Sequence, residues 1–129
     1  DATDEHGSFR GGVDAYLDWA FGLLERYDRT FHLVGNLLVE LHPDDDDLAR
    51  AETYGVAHHR RAGGPDRANL ITGFRFVDRF TRRPGAGWRI ARRVAVTEWS
   101  RVDTQDDWWP VPDHLRQGRR DRSDPVYDW

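Results

Sequence analysis

FHLVGNLLVEL, Phe31 to Leu41, is a near-continuous apolar run interrupted by His32, Asn36 and Glu40. Read as a strand, its side chains alternate between two faces. His32, Val34, Asn36, Leu38 and Glu40 then share one face, and Leu33, Gly35, Leu37, Val39 and Leu41 the other. The second face is apolar. The first sets an imidazole and an amide among aliphatic neighbours, the composition of an apolar pocket with a few convergent polar groups. His32 is therefore the first catalytic candidate. A strand histidine that simply hydrogen-bonds its neighbours in a core is the alternative.

Upstream, Asp1 to Gly12 reads as a short polar strand segment with a turn at His6-Gly7-Ser8 and a break at Gly11-Gly12. From Val13 to Tyr27 the residues Val13, Tyr16, Leu17, Ala20, Leu24 and Tyr27 recur at three- and four-residue steps, one stripe of an amphipathic helix. Asp14 sits in its first turn, where the helix dipole favours a carboxylate. Downstream, the acidic run Asp44 to Asp47 lacks the alternating ligand spacing and central Gly of a calcium loop and reads as a solvated hairpin turn. Three more strands follow: Ala49 to Arg61, Leu70 to Arg83 and Trp88 to Val102, separated by Gly63-Gly64-Pro65-Asp66 and Pro84-Gly85-Ala86-Gly87. In the third strand Leu70, Thr72, Phe74, Phe76, Asp78 and Phe80 share a face, which sets a carboxylate among aromatics. In the fourth, Trp88, Ile90, Val94 and Val96 read as the apolar face, with Arg92 interrupting. One helix followed by hairpin-linked strands is an α+β layout: a strongly curved antiparallel sheet wrapped into a cone around helix 13–27, with a pocket at its open end.

The chain's 129 residues suffice for one domain with a core, and 12% aromatics including six Trp supply material for it. A net charge of −4 argues against general nucleic-acid binding. All 19 basic residues are Arg, which excludes a lysine Schiff base. No Cys is present, so neither disulfide nor thiolate chemistry is available. No 18-residue apolar run or leader pattern appears, so no membrane contact is expected and a cytoplasmic protein is. The chain has no Met and opens on Asp1-Ala2-Thr3-Asp4, which leads to the expectation of an N-terminally incomplete domain. Residues 103–129 change character: Pro, Asp, Arg and Trp dominate. Trp108, Trp109, Tyr127 and Trp129 are costly to leave in water, so this extended tail is expected to wrap its own domain or a neighbouring subunit, with Trp108 or Trp109 buried.

FHLVGNLLVEL, TYGVAHHRR, GFRFVDRFTRRPGAGWRIARRVAVTEW and GRRDRSDPVYDW, in this order and spacing, resemble the SnoaL-like branch of the NTF2-like superfamily. Nearly the whole chain takes part. The resemblance implies a cone-shaped α+β fold and relatives such as scytalone dehydratase, bile acid 7α-dehydratase and hexachlorocyclohexane dehydrochlorinase, which eliminate water or HCl from small cyclic molecules. In these a His matching His32 acts as base, oriented by an Asp from an early helix with a Tyr nearby; that helix would precede Asp1.

The implied function is a cofactor-independent lyase or isomerase acting on a small hydrophobic cyclic molecule, with His32 as general base in a dry hollow. An imidazole is mostly neutral near pH 7, and positioned proton transfer contributes about 100-fold to 10,000-fold. Substrate-binding candidates are Asn36, Tyr54, His58, Asp78 and Arg83, the last at a position resembling a pocket arginine of the dehydrochlorinase. His58 and His59 lie on opposite faces, so at most one enters the pocket. Asp78 also reads as the ion-pair partner of Arg92 or Arg93. No metal site, serine nucleophile elbow or nucleotide loop is found, and no cofactor is expected. The alternative is a non-catalytic ligand-binding or assembly module, for which the β subunit of ring-hydroxylating dioxygenases is a precedent; a homo-oligomer, dimer or trimer, is expected in either case.

Overall fold

The computed structural model describes residues 2–61, 63, 67–104 and 111–128. Its elements are β1 (Thr3–His6), β2 (Phe9–Gly12), α1 (Val13–Leu24), β3 (Arg29–His42), β4 (Asp45–Arg61), β5 (Ala68–Arg83) and β6 (Gly87–Asp103), with a 3-10 turn at Pro125–Tyr127. They form one curved six-stranded sheet of order β2-β1-β6-β5-β4-β3. The expected all-antiparallel sheet is corrected at one place. β1 pairs with β6 in parallel, Thr3 beside Arg92 and His6 beside Ala95. The long α1–β3–β4–β5 excursion between β1 and β6 makes this possible, because a parallel pair needs a long crossover.

Gly7, at φ 59, turns β1 into β2 in the left-handed region that Gly adopts without steric cost. α1 follows directly from Gly12, and its closest backbone neighbours are β1 and β2. It ends at Leu24, short of the expected Tyr27, because the chain must turn to enter β3. Arg120 from the tail donates to the carbonyl of Leu24, which also accepts from the Tyr27 N–H, and to that of Tyr27, tying the tail to the end of the helix. Arg29 at the start of β3 donates to the Gly118 carbonyl (2.6 Å) and to Gln117 Oε1 (2.7 Å). The tail thus docks on its own domain at 117–120. Tyr127 is exposed, and Trp108, Trp109 and Trp129 lie outside the described residues.

Among the described residues, three of the four register shifts in the sheet decide which side chains share a face. Between Gly35 and Leu37 the register on β4 slips by one, leaving Asn36 unpaired at φ 49. A bulge inverts the alternation beyond it. Val34 therefore shares its face with Leu37, Val39 and Leu41, and the simple alternation read from the sequence holds only as far as Gly35. β6 carries two further irregularities against β5, beside Phe74 and Phe80. The second puts Arg93 and Ala95, not Val94 and Val96, on the face of Ile90. β5 itself has the expected parity.

We call inner the face that carries His32. The core is thin and central: Ala49, Ala51 and Ala57 of β4 and Phe74 of β5 are buried on the inner face, Ile71 on the outer. Small residues on β4 admit the rings of β5. A Cβ built on Gly55 would lie 2.5 Å from Phe74 Cζ, so Phe74 occupies the space that Gly55 leaves.

Candidate functional site

The inner face collects an aromatic floor with imidazoles at both ends. His32, on β3 opposite Ala57, lies 5.3 Å from the His59 ring and 5.9 Å from Phe74, centroid to centroid. Phe74 and Phe76 touch at 4.7 Å, and His6 of β1 lies 6.2 Å beyond Phe76. Tyr27 covers the other side of His59 at 4.9 Å. At the far end His6 and Phe9 pack against Tyr16 and Trp19 of α1.

The electrostatics differ along this floor. Partial loss of water lowers the pKa of His32; burial, and then the neighbouring imidazoles, lower that of His59. Both rings are thereby favoured in the neutral, proton-accepting form. Asp78 is buried, 3% exposed, and is committed to Arg93 by two hydrogen bonds, from Nε (2.8 Å) and Nη2 (2.7 Å). Arg93 also stacks over Phe76 at 3.9 Å. Of the two pairings read from the sequence, the structure selects Arg93, because the bulge at Ala91 brings it level with Asp78.

The structure separates the other candidates from His32. Asn36, expected on the same face, is the bulged residue and lines an outer-face groove of about 440 Å³ with Leu33, Tyr54, Glu98 and Trp99. Tyr54 lies on that outer face, beside the Glu52–Arg75–Glu98 ion-pair row. His58 also points outward, its ring 6.1 Å from Phe31, so His59 is the histidine that joins His32. Arg83 stands exposed at the far end of β5, paired with Gly87. Nor is His32 enclosed as expected: it is exposed, on an open stretch of the sheet.

Sequence reasoning missed the far end of the floor, where Asp4, His6 and Tyr16 converge beside Arg93. Asp4 and His6 alternate correctly for one face, but what that face meets depends on the parallel β1–β6 pairing, which leaves no local signal. Asp4, Tyr16, Arg93, Val13 and Ile90 line a hollow of about 220 Å³. Among the described residues there is no group of three or more metal-ligating side chains, and no helix is long and apolar enough to cross a membrane.

Comparison with solved structures finds the same fold. A hexachlorocyclohexane dehydrochlorinase (LinA) of type 2 superimposes with a TM-score of 0.72 at 16% identity, covering 89% of this chain and 75% of that one. The LinA-type3 dehydrochlorinase of Novosphingobium barchaimii LL02 gives a TM-score of 0.71 at 15% identity, covering 86% and 75%. A candidate scytalone dehydratase from Novosphingobium aromaticivorans gives 0.65 at 18% identity, covering 91% and 75%. None of the curated proteins matches the sequence significantly. The model of the SnoaL-like domain matches residues 1–94, most of the chain, and the chain therefore belongs to the SnoaL-like domain family.

Proposed function

We propose that this chain is a cofactor-independent lyase or isomerase that carries out an elimination on a small hydrophobic cyclic molecule, with His32 as general base and the Phe74–Phe76 floor as the platform for the ring. The proposal takes the curved sheet as a cone with α1 at its base. The observation that carries it is the union, on one face of a SnoaL-like fold, of neutral-favoured imidazoles with two adjoining phenylalanine rings. A ring laid on two Phe side chains gains apolar burial at about 25 cal/mol per Å² and presents its edge to His32. His59, in contact with His32, is the group that would share or relay the proton.

Removing a proton from carbon needs water kept away. His32 is open in this chain, so the reaction requires the bound substrate or a covering element to close over it. That exposure favours a second reading, a binding or assembly module whose inner face receives a ligand or partner without chemistry.

A panel of cyclic ketones and alcohols, read by thermal shift and by turnover, separates the two. The enzyme reading expects turnover that His32→Ala lowers by about 100-fold or more with ligand stabilisation retained. Stabilisation by ligands with no turnover in any case leaves the module. Turnover unchanged in His32→Ala removes His32 as base.

A further inference from the structure

The outer face of the sheet carries a row of like charges. Arg50 of β4 lies directly opposite Arg79 of β5, and Arg79 directly opposite Arg92 of β6. Side chains paired in this way have their Cβ atoms about 5 Å apart, and like charges so placed are destabilising. The two flanking arginines are each compensated from the far side: Arg50 donates to Glu40 on β3, and Arg92 to Glu5 on β1 at 2.6 Å. Arg79, between them, is exposed and has no acidic or hydrogen-bonding partner among the described residues. Glu52, on the same face two residues from Arg50, is drawn the other way, to Arg75 at 3.2 Å. The middle cation of three is therefore the one left without an anion.

Arg79 lines a cavity of about 450 Å³ together with Arg50, Glu40, His42, Pro43 and Leu48. That volume is within the range of small-ligand sites, which combine apolar walls with a few placed polar groups. Glu40 is engaged by Arg50, and His42 Nδ1 accepts from the Asp44 N–H at 3.2 Å, so the positive charge free to meet a ligand is that of Arg79. A second polar group on this face is unserved: Thr81 Oγ1, two residues along β5, is buried without a hydrogen-bond partner among the described residues. Its cross-strand neighbour is Leu48 of the cavity wall. A guanidinium presents a planar fork of N–H donors that matches a carboxylate, and such charge-assisted pairs are about twice as strong as neutral hydrogen bonds.

We propose that this cavity is a second binding site, for a small carboxylate on a compact apolar body, with the carboxylate on Arg79 and the apolar part against Pro43 and Leu48. Arg79 lies on the face opposite His32, so the site is independent of the function proposed above. The ligand does for Arg79 what Glu40 and Glu5 do for its neighbours: each cation of the row then has an anion. Because Arg50 and Arg92 are already neutralised, one charge remains to be met, which suits a monoanion better than a phosphate dianion. An uncharged ligand of the same shape leaves the repulsion within the row unchanged.

The test titrates the chain with 3-phenylpropionate and with its neutral analogue 3-phenylpropanamide, by calorimetry and by NMR of the Arg79 Nε–H signal. Expected are a shift of that signal with the carboxylate and an affinity about 10-fold or more above that for the amide. Arg79→Gln should remove that advantage. His32→Ala should bind as the parent does, and so should Arg101→Gln, which takes the same charge from the other end of this face, opposite Ile71. Arg79→Gln relieves a like-charge contact, so its melting temperature should be no lower than the parent's; a clear fall would show that Arg79 is already paired within the protein and overturns the proposal. Equal affinities for carboxylate and amide overturn it, as does a loss in Arg101→Gln as large as that in Arg79→Gln, which would mean general attraction of anions. Loss of binding in His32→Ala moves the ligand to the inner face and overturns it too. Absence of binding, with a self-association that Arg79→Gln abolishes, would assign Arg79 to an acid of a second copy of the chain instead.

Discussion

β5 and β3 are both long, apolar strands, and they end in opposite situations. β5 lies between β4 and β6, and its Ile71, Phe74 and Asp78 are buried. β3 has β4 on one side only, and every residue from Thr30 to His42 is exposed, Leu33 at 62% and Leu38 at 59%. A sequence run reports the kind of surface a strand is suited to meet. Burial depends on whether that surface is there. In β5 the neighbours supply it, and even a carboxylate is taken out of water because an arginine arrives with it. In β3 nothing among the described residues covers either face.

Breaking the β5 side has the largest expected effect. Arg93→Ala removes both hydrogen bonds to the Asp78 carboxylate and the cation over Phe76, leaving a nearly inaccessible charge alone. Removing one member of such a pair costs on the order of 3 kcal/mol. Urea unfolding should show it, and pairing Arg93→Met with Asp78→Leu should restore most of the loss. An Arg93→Ala chain as stable as the parent would mean that Asp78 reaches water.

Two glycines sharpen the contrast at a smaller scale. A methyl on Gly55 of β4 meets Phe74 at 2.5 Å and the Leu33 carbonyl at 3.0 Å, so Gly55→Ala must displace the floor of the site and should cost about 1–3 kcal/mol. A methyl on Gly35 of β3 meets nothing within 4 Å. With no clash to relieve there, the backbone freedom that glycine loses on folding decides the outcome, and Gly35→Ala should be neutral or stabilise by up to about 1 kcal/mol. Equal losses at the two positions, measured by thermal unfolding, would erase the difference between the strands.

The same contrast marks what was legible in the sequence. The strands and the helix were readable because period-two and period-3.6 patterns are local, and turn residues bounded them. Phe74, Phe76 and Asp78 were placed on one face correctly because β5 has no bulge between them. Asn36 was misplaced because one unpaired residue inverts a strand's parity, and the only hint was a Gly-Asn pair within an apolar run. The imidazole that joins His32 could not be chosen between His58 and His59 until the β3–β4 register was known. Asp4 and His6 were invisible as a pair, since their surroundings come from a strand at the other end of the sheet's sequence, reached by a parallel pairing.

The smallest effect is expected on β3. Leu38→Thr installs a β-branched strand former and removes apolar surface that is already exposed on the outer face. Substitutions at such sites change stability by about 0.5 kcal/mol or less. The informative measurement is urea unfolding repeated over a range of protein concentrations. A small, concentration-independent change shows that the outer face of β3 meets water in solution. A loss several times larger that grows with dilution, together with a fall in sedimenting mass, would show that a second copy of the chain covers Leu38, because only association makes a side chain's contribution depend on concentration. In that event β3 would differ from β5 only in where its missing surface comes from.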